Sequence, residues 1–199
     1  MAKFDYLLDL HTASRGRVNS LYVRADMISP KTRRMAILQN PQIIVHNTSP
    51  DGSLRGAAME RQIQAITVEI GDPSRVQKRF VKHALLGVTN ILCNLKMIPN
   101  EPDLPEYDPV VCARSYWIFS TAGGVLSVIP DVNTWVKKGE PIAYLYSVFG
   151  WLEKTYFATE DGIVIGKSVD PVCQTGDRIL HLGVVEDTFP AARVDDGHL

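Results

Sequence analysis

The 199-residue chain carries 21 Lys and Arg against 22 Asp and Glu, and 45% of its residues are hydrophobic. That length buries a normal core, and the apolar fraction excludes a disordered chain. With charge nearly cancelled there is no global field to attract nucleic acid or an anionic membrane, so neither is expected as a partner.

The opening Met-Ala-Lys-Phe-Asp-Tyr lacks the charged-then-apolar plan of a signal peptide, and no apolar run approaches the ~20 residues of a membrane span. A cytoplasmic setting is expected, in agreement with Cys93, Cys112 and Cys173, which stand far apart without paired metal-ligand spacing. Apolar runs near Tyr6 to Leu10, Leu21 to Arg24, Ile43 to His46 and Ala65 to Ile70 are continuous, which predicts strands of a sheet covered on both faces. Pro30 to Gln39 and Leu54 to Gln64 read as helices. A longer helix is expected from Asp72-Pro73, an N-cap followed by a proline whose missing N–H is harmless in a first turn. Val76, Phe80, Ala84, Val88, Ile91 and Leu95 then recur at steps of three and four, as a core-facing stripe does.

From Pro99 to Pro109 four prolines alternate with acidic residues, which excludes a helix interior and predicts a linker over 99–109 between an α/β part, 1–98, and a mostly β part, 110–199. The second part contains a repeat. Gly124-Val-Leu-Ser-Val leads to Val136-Lys-Lys-Gly-Glu-Pro-Ile-Ala-Tyr-Leu145, and Gly162-Ile-Val-Ile-Gly leads to Cys173-Gln-Thr-Gly-Asp-Arg-Ile-Leu-His-Leu182. Each copy reads strand, turn, strand, which predicts a small β-sandwich or barrel with pseudo-two-fold symmetry, resembling the biotinyl/lipoyl half-barrel. A carrier domain of that kind presents a modified lysine between the copies. Only Lys154 stands there, without flanking methionines, so carrier function is not expected.

Two residues carry the chemistry. His11 ends an apolar strand before the small, polar Thr-Ala-Ser-Arg-Gly-Arg, the strand-end position at which ligands bind in open α/β sheets. Asp9, two residues earlier on the same strand face, is placed to accept an imidazole N–H and fix which nitrogen meets a metal. The alternative is a core histidine with Asp9 capping a loop. Glu69 places a carboxylate inside the apolar Ala-Ile-Thr-Val-Glu-Ile-Gly, where desolvation raises its pKa toward the range of a general base, unless it pairs with Arg55 or Arg61. Arg15 and Arg17 follow His11, and Arg55, in the turn Asp51-Gly-Ser-Leu-Arg-Gly56, is the candidate to grip a substrate carboxylate. His46, His83 and His181 read as structural.

The order DLHTA, DGSLRGAA, ITVEIG, a proline-rich crossing, VKKGEPIA and DGIVIGKSVDPVCQTGDRILHLG resembles the succinylglutamate desuccinylase/aspartoacylase family from about Asp5 to Gly183. The resemblance implies a zinc-carboxypeptidase-like sheet with helices followed by an added β domain. It also implies hydrolysis of a small N-acylated substrate, with zinc held by an early H-x-x-E pair and by the histidine that matches His11, and with Glu69 as the matching general base. No H-x-x-E occurs among the 199 residues, and one histidine does not make up the three protein ligands of a catalytic zinc. The strand-helix units expected before DLHT, with the family's arginine and asparagine for the substrate carboxylate, are also missing from it. The chain is therefore expected to be the C-terminal portion of a zinc-dependent N-acyl amidohydrolase, inactive alone, binding zinc weakly and self-associating into a homo-oligomer through exposed sheet edge. The alternatives are a non-catalytic assembly module and one chain of a two-chain enzyme whose partner supplies H-x-x-E.

Overall fold

The computed structural model describes residues 3–48, 52–104 and 107–186. Asp51, the 105–106 part of the expected linker and the 187–199 part of the expected β domain lie outside them. In chain order the elements up to the proline-rich stretch are β1 (Tyr6–His11), β2 (Arg17–Asn19), β3 (Leu21–Ala25), α1 (Pro30–Leu38), β4 (Ile43–His46), α2 (Leu54–Met59), β5 (Gln64–Ile70) and α3 (Lys78–Asn94). Beyond it come β6 (Val110–Cys112), β7 (Arg114–Phe119), β8 (Gly124–Val128), β9 (Trp135–Val136), β10 (Pro141–Tyr146), β11 (Leu152–Phe157), β12 (Gly162–Ser168), β13 (Val172–Cys173) and β14 (Arg178–Val184).

The continuous apolar strands form one mixed sheet in the order β1-β5-β3-β4-β6, with β1 parallel to β5, β3 antiparallel to β5, and β3, β4 and β6 parallel. Their lack of alternation follows from cover on both faces. Leu21, Val23, Ile44, Ile66 and Val68 point to α1 and α3, where they meet Met35, Ala36, Leu38 and Ile91. On the opposite face Tyr22, Ile43 and Val45 meet Ile163 and Ile165 of β12. At the flank of that same face Leu7 and Ala65 pack against Ala58 of α2.

The repeat folds as two sheets, β11-β10-β8-β13 and β2-β12-β14-β7, with β9 paired to β12. The short middle strand of each copy pairs with the other copy: β9 of the first joins β12 of the second, and β13 of the second joins β8 of the first. The exchange between the two copies is reciprocal. Leu126, Ile142, Leu145, Val164, Ile179 and Leu182 fill the shared interior.

Strands cross the 99–109 stretch in both directions. β6, after it, adds to β4 of the first sheet, while β2, long before it, adds to β12 of the second part. A three-residue strand beside a glycine turn has no hydrophobic period of its own, so Arg17–Asn19 reads as loop in the sequence and becomes strand only because β12 offers its edge.

The helix expected from Asp72-Pro73 starts at Lys78 instead, with Gln77 as its N-cap residue. The Asp72 carboxylate accepts from Ser74 N–H at 2.8 Å, and Gln77 Oε1 accepts from Asp72 N–H at 2.6 Å, so a local turn consumes the capping groups. Val76 therefore falls before the helix and is exposed, while Phe80, Ala84, Ile91 and Leu95 pack inward. The second helix, expected to reach Gln64, ends at Met59, and Gln62 at φ +61° turns the chain into β5. Among the described residues no helix is long and apolar enough to cross a membrane.

Gly87 of α3 lies against Gln39, and a Cβ there would stand 2.5 Å from the Gln39 carbonyl oxygen. Backbone does not yield as a flexible side chain does. Gly87→Ala is expected to lose about 2 kcal/mol despite the ~1 kcal/mol gain in helix propensity, read as a lower urea midpoint at unchanged m-value.

Candidate active site

His11 and Glu69 are register partners on parallel β1 and β5, and Glu69 is in turn the partner of Tyr22 on antiparallel β3. Because side chains alternate along a strand, paired positions share a face, and His11, Glu69 and Tyr22 form a row on the face turned to the β part. With Asn19, Arg17, Arg24, Trp117 and Arg178 they line a cavity of about 140 Å³. The loop after His11 is held by Gly71, whose carbonyl accepts from Ala13 N–H and Asn19 N–H, both at 3.3 Å. Gly71 has φ +62°, and a Cβ there would collide with Gln77 and Phe80, so glycine is required at this corner.

Asp9 projects beside His11, with Oδ1 3.0 Å from His11 Nε2. That contact occupies one ring nitrogen and leaves Nδ1 without a partner among the described residues. Glu69 is half-buried and accepts from Asn19 Nδ2 at 3.1 Å. Desolvation raises its pKa, against the pull of the Arg24 charge, His11 and the Asn19 hydrogen bond, with Asp9 adding to the rise. Neither Arg55 nor Arg61 pairs with it. Arg61 donates to Ala57 O. Arg55 is fully buried, donating to the backbone and side-chain oxygens of Asn47, so it fastens α2 to the end of β4 and does not line the cavity. The rim position expected of it is thus taken by other arginines.

Sequence reasoning passes over Asn19, Tyr22, Arg24, Trp117 and Arg178. One signal was available: Arg24 interrupts Leu-Tyr-Val-Arg-Ala as Glu69 interrupts its own strand. Arg24 donates to Tyr22 Oη at 3.0 Å, and burial pushes the Tyr22 phenol up to about 12, so it stays protonated. Behind Tyr22, His181 stacks on Trp117 with centroids 4.9 Å apart, and its Nε2 meets Ser115 Oγ at 2.9 Å. His46 and His83 stand outside this group.

The described residues do not by themselves fit a zinc ion: no three His, Cys, Asp or Glu side chains among them converge as ligands. What the site supplies is an imidazole with one nitrogen oriented by a carboxylate, a carboxylate poised to take a proton, and several guanidinium groups.

The profile of the succinylglutamate desuccinylase/aspartoacylase catalytic domain matches residues 1–95. Residues 1–95 belong to that family. No curated protein sequence matches the chain. Among solved structures, the ectoine utilization protein EutE (DoeB) from Ruegeria pomeroyi superposes with TM-score 0.83 at 20% identity, over 91% of this chain and 60% of that one. A succinylglutamate desuccinylase/aspartoacylase from Rhodobacter sphaeroides gives TM-score 0.77 at 17% identity, over 89% of this chain and 57% of that one. At such identities the likeness is one of fold, and it extends through the β part of the chain. The chain spans about three-fifths of the length of either structure.

Burial, then the charges of Arg24 and Arg178, lowers the His181 pKa from 6.5 to about 3. The unfolded chain takes up this proton below about pH 6.5 and the folded chain does not, so stability held above that pH is lost on acidification toward pH 3, at up to about 1.4 kcal/mol per pH unit. His181→Gln is expected to flatten the fall of Tm between about pH 6.5 and 4 relative to the unsubstituted protein. Equal slopes would mean that His181 titrates normally in the fold.

Proposed function

We propose that the chain is a portion of a zinc-dependent N-acyl amidohydrolase acting on an N-acylated amino acid or a similar small amide, inactive alone, with Glu69 as general base and His11 as a zinc ligand. The observation that carries this reading is the His11–Glu69 row: an imidazole with Nδ1 open and a desolvated carboxylate on one sheet face, at the mouth of a small cavity. In amide hydrolysis a water oxygen bonds to the acyl carbon, the C–N bond breaks and the amine leaves with a proton. Glu69, its pKa raised, takes the water proton and returns it to the amine. Asp9 holds His11 by Nε2. Zinc belongs to the reading only for the complete enzyme, because His11 is one of the three protein ligands a catalytic zinc takes.

A two-chain or preceding-segment arrangement is favoured by the edge of the first sheet. β1 is the terminal strand, and beside it Phe4, Tyr6, Leu7, Leu54 and Ile63 line an apolar hollow of about 250 Å³, with Phe4 67% exposed. An added strand and helix bearing H-x-x-E would cover both. A second copy of the chain on the same edge would account for a homo-oligomer. The second part is read as a biotinyl/lipoyl-like half-barrel, supported by the reciprocal pairing of β9 and β13. It is not read as a carrier, since Lys154 lies within β11 with Nζ on Thr121 Oγ1. The three cysteines are free and buried, in keeping with a cytoplasmic protein.

Calorimetry of the chain with zinc is expected to give weak uptake, and the chain alone no hydrolysis of N-acetyl amino acids. Adding a polypeptide with the H-x-x-E segment should restore hydrolysis, and Glu69→Gln should lower the restored kcat by about 100-fold or more. Tight stoichiometric zinc in the chain alone, or turnover that survives Glu69→Gln, would overturn the reading.

A further inference from the structure

The proposed hydrolysis makes no use of the guanidinium pair next to Glu69. Arg17 lies on β2, Arg178 opens β14 and Trp117 lies in β7, three strands of one sheet. The guanidinium carbons of Arg17 and Arg178 stand 5.6 and 5.3 Å from the Trp117 ring centroid. Cation–π contact at that range holds both side chains against one indole. It also brings two like charges together, and burial followed by the Arg178 charge lowers the Arg17 pKa.

Among the described residues neither arginine has a carboxylate within ion-pair distance. Asp177, next to Arg178 in sequence, accepts from Gln174 N–H on Oδ2 at 2.7 Å, and Asp170 accepts from Val172 N–H on Oδ1 at 3.0 Å. Arg24, the third arginine of the cavity, is engaged with Tyr22 Oη. Arg17 and Arg178 border both the cavity of about 140 Å³ that holds His11 and Glu69 and a neighbouring cleft of about 470 Å³ that also contains Arg15. Asp177 and Glu69 act on Arg17 only through space, so two preoriented forks without a carboxylate in direct contact, at the junction of a small polar cavity and a larger cleft, match a planar oxyanion that accepts hydrogen bonds from both.

We propose that Arg17 and Arg178, braced on Trp117, are a carboxylate-binding clamp for a small ligand that lies across the junction of the two hollows. The clamp stands on its own geometry. That the carboxylate is part of the substrate, with the amide toward Glu69, rests on the deacylase reading.

Trp117 is its own reporter once the two exposed tryptophans are replaced, as Trp135→Phe and Trp151→Phe. In metal-free buffer N-acetylglycine is expected to change Trp117 fluorescence saturably, and N-acetylglycine amide, of the same size without the charge, to give no saturable change. Arg17→Gln and Arg178→Gln should each weaken binding by about tenfold or more, the cost of a lost charge-assisted hydrogen bond. Arg178→Lys, which keeps the charge and loses the fork, should fall between, and thermal melts confirm that each variant is folded. Glu69→Gln, which removes a negative charge that acts on Arg17, should bind N-acetylglycine at least as tightly as the parent does, so a failed clamp and a failed hydrolytic reading are told apart. No saturable change, an equal response to the amide, arginine variants that bind as the parent does, or inorganic phosphate binding more tightly than N-acetylglycine would each overturn the carboxylate assignment.

Discussion

The register of β1 against β5 is the constraint on which the site depends. His11 opposes Glu69 and Asp9 opposes Thr67, so the imidazole, the carboxylate beside it and the half-buried Glu69 lie on one face. A slip of one residue in either strand would turn that strand's polar groups toward α1 and α3, where Val68, Ile66 and Ile91 leave only apolar neighbours. The register is fixed from that opposite face, because Leu8 and Ile66 must meet the helices while Leu7 and Ala65 meet α2. The geometry of the His11–Glu69 row is thus a consequence of hydrophobic sorting on two sides of a single sheet.

The β part completes the environment of that row. Its Ile163 and Ile165 cover Tyr22, Ile43 and Val45, so Glu69 sits at the border of an apolar interface. Desolvation there raises the Glu69 pKa, and Arg24 and Asn19 limit the rise by a nearby charge and a hydrogen bond. The same burial keeps Tyr22 and His181 neutral, so neither adds a charge beside Glu69 and the arginines of the cavity.

The two parts do not meet as separate bodies. β2 belongs by sequence to the first and by hydrogen bonds to the second, and β6 does the reverse. Each exchange pairs the backbone of an edge that would otherwise be open. β2 also brings Arg17 and Asn19, at its two ends, into the cavity beside Glu69, so the strand that ties the parts together also furnishes the site.

Some of this was legible in the amino-acid order. Continuous apolar runs gave four strands of the first sheet, the duplicated strand-turn-strand pattern gave the second part, and a carboxylate within an apolar strand marked Glu69, because hydrophobic period and burial cost are local properties. The start of α3 was misplaced because Asp72 and Gln77 hydrogen-bond a turn in preference to the helix end, a choice between two local partners that propensity does not rank. Arg55 shows the larger limit: it occupies the expected turn-and-helix position, yet its fate was set by Asn47, on a different element. Arg17, Trp117 and Arg178 lie far apart in sequence and meet only because β2, β7 and β14 share a sheet. The sequence by itself determined which apolar runs would form the first sheet and which of those strands carried the Glu69 carboxylate. Which cations stand beside that carboxylate was decided by tertiary structure alone, since strand order and side-chain reach are set by packing between segments distant in the chain.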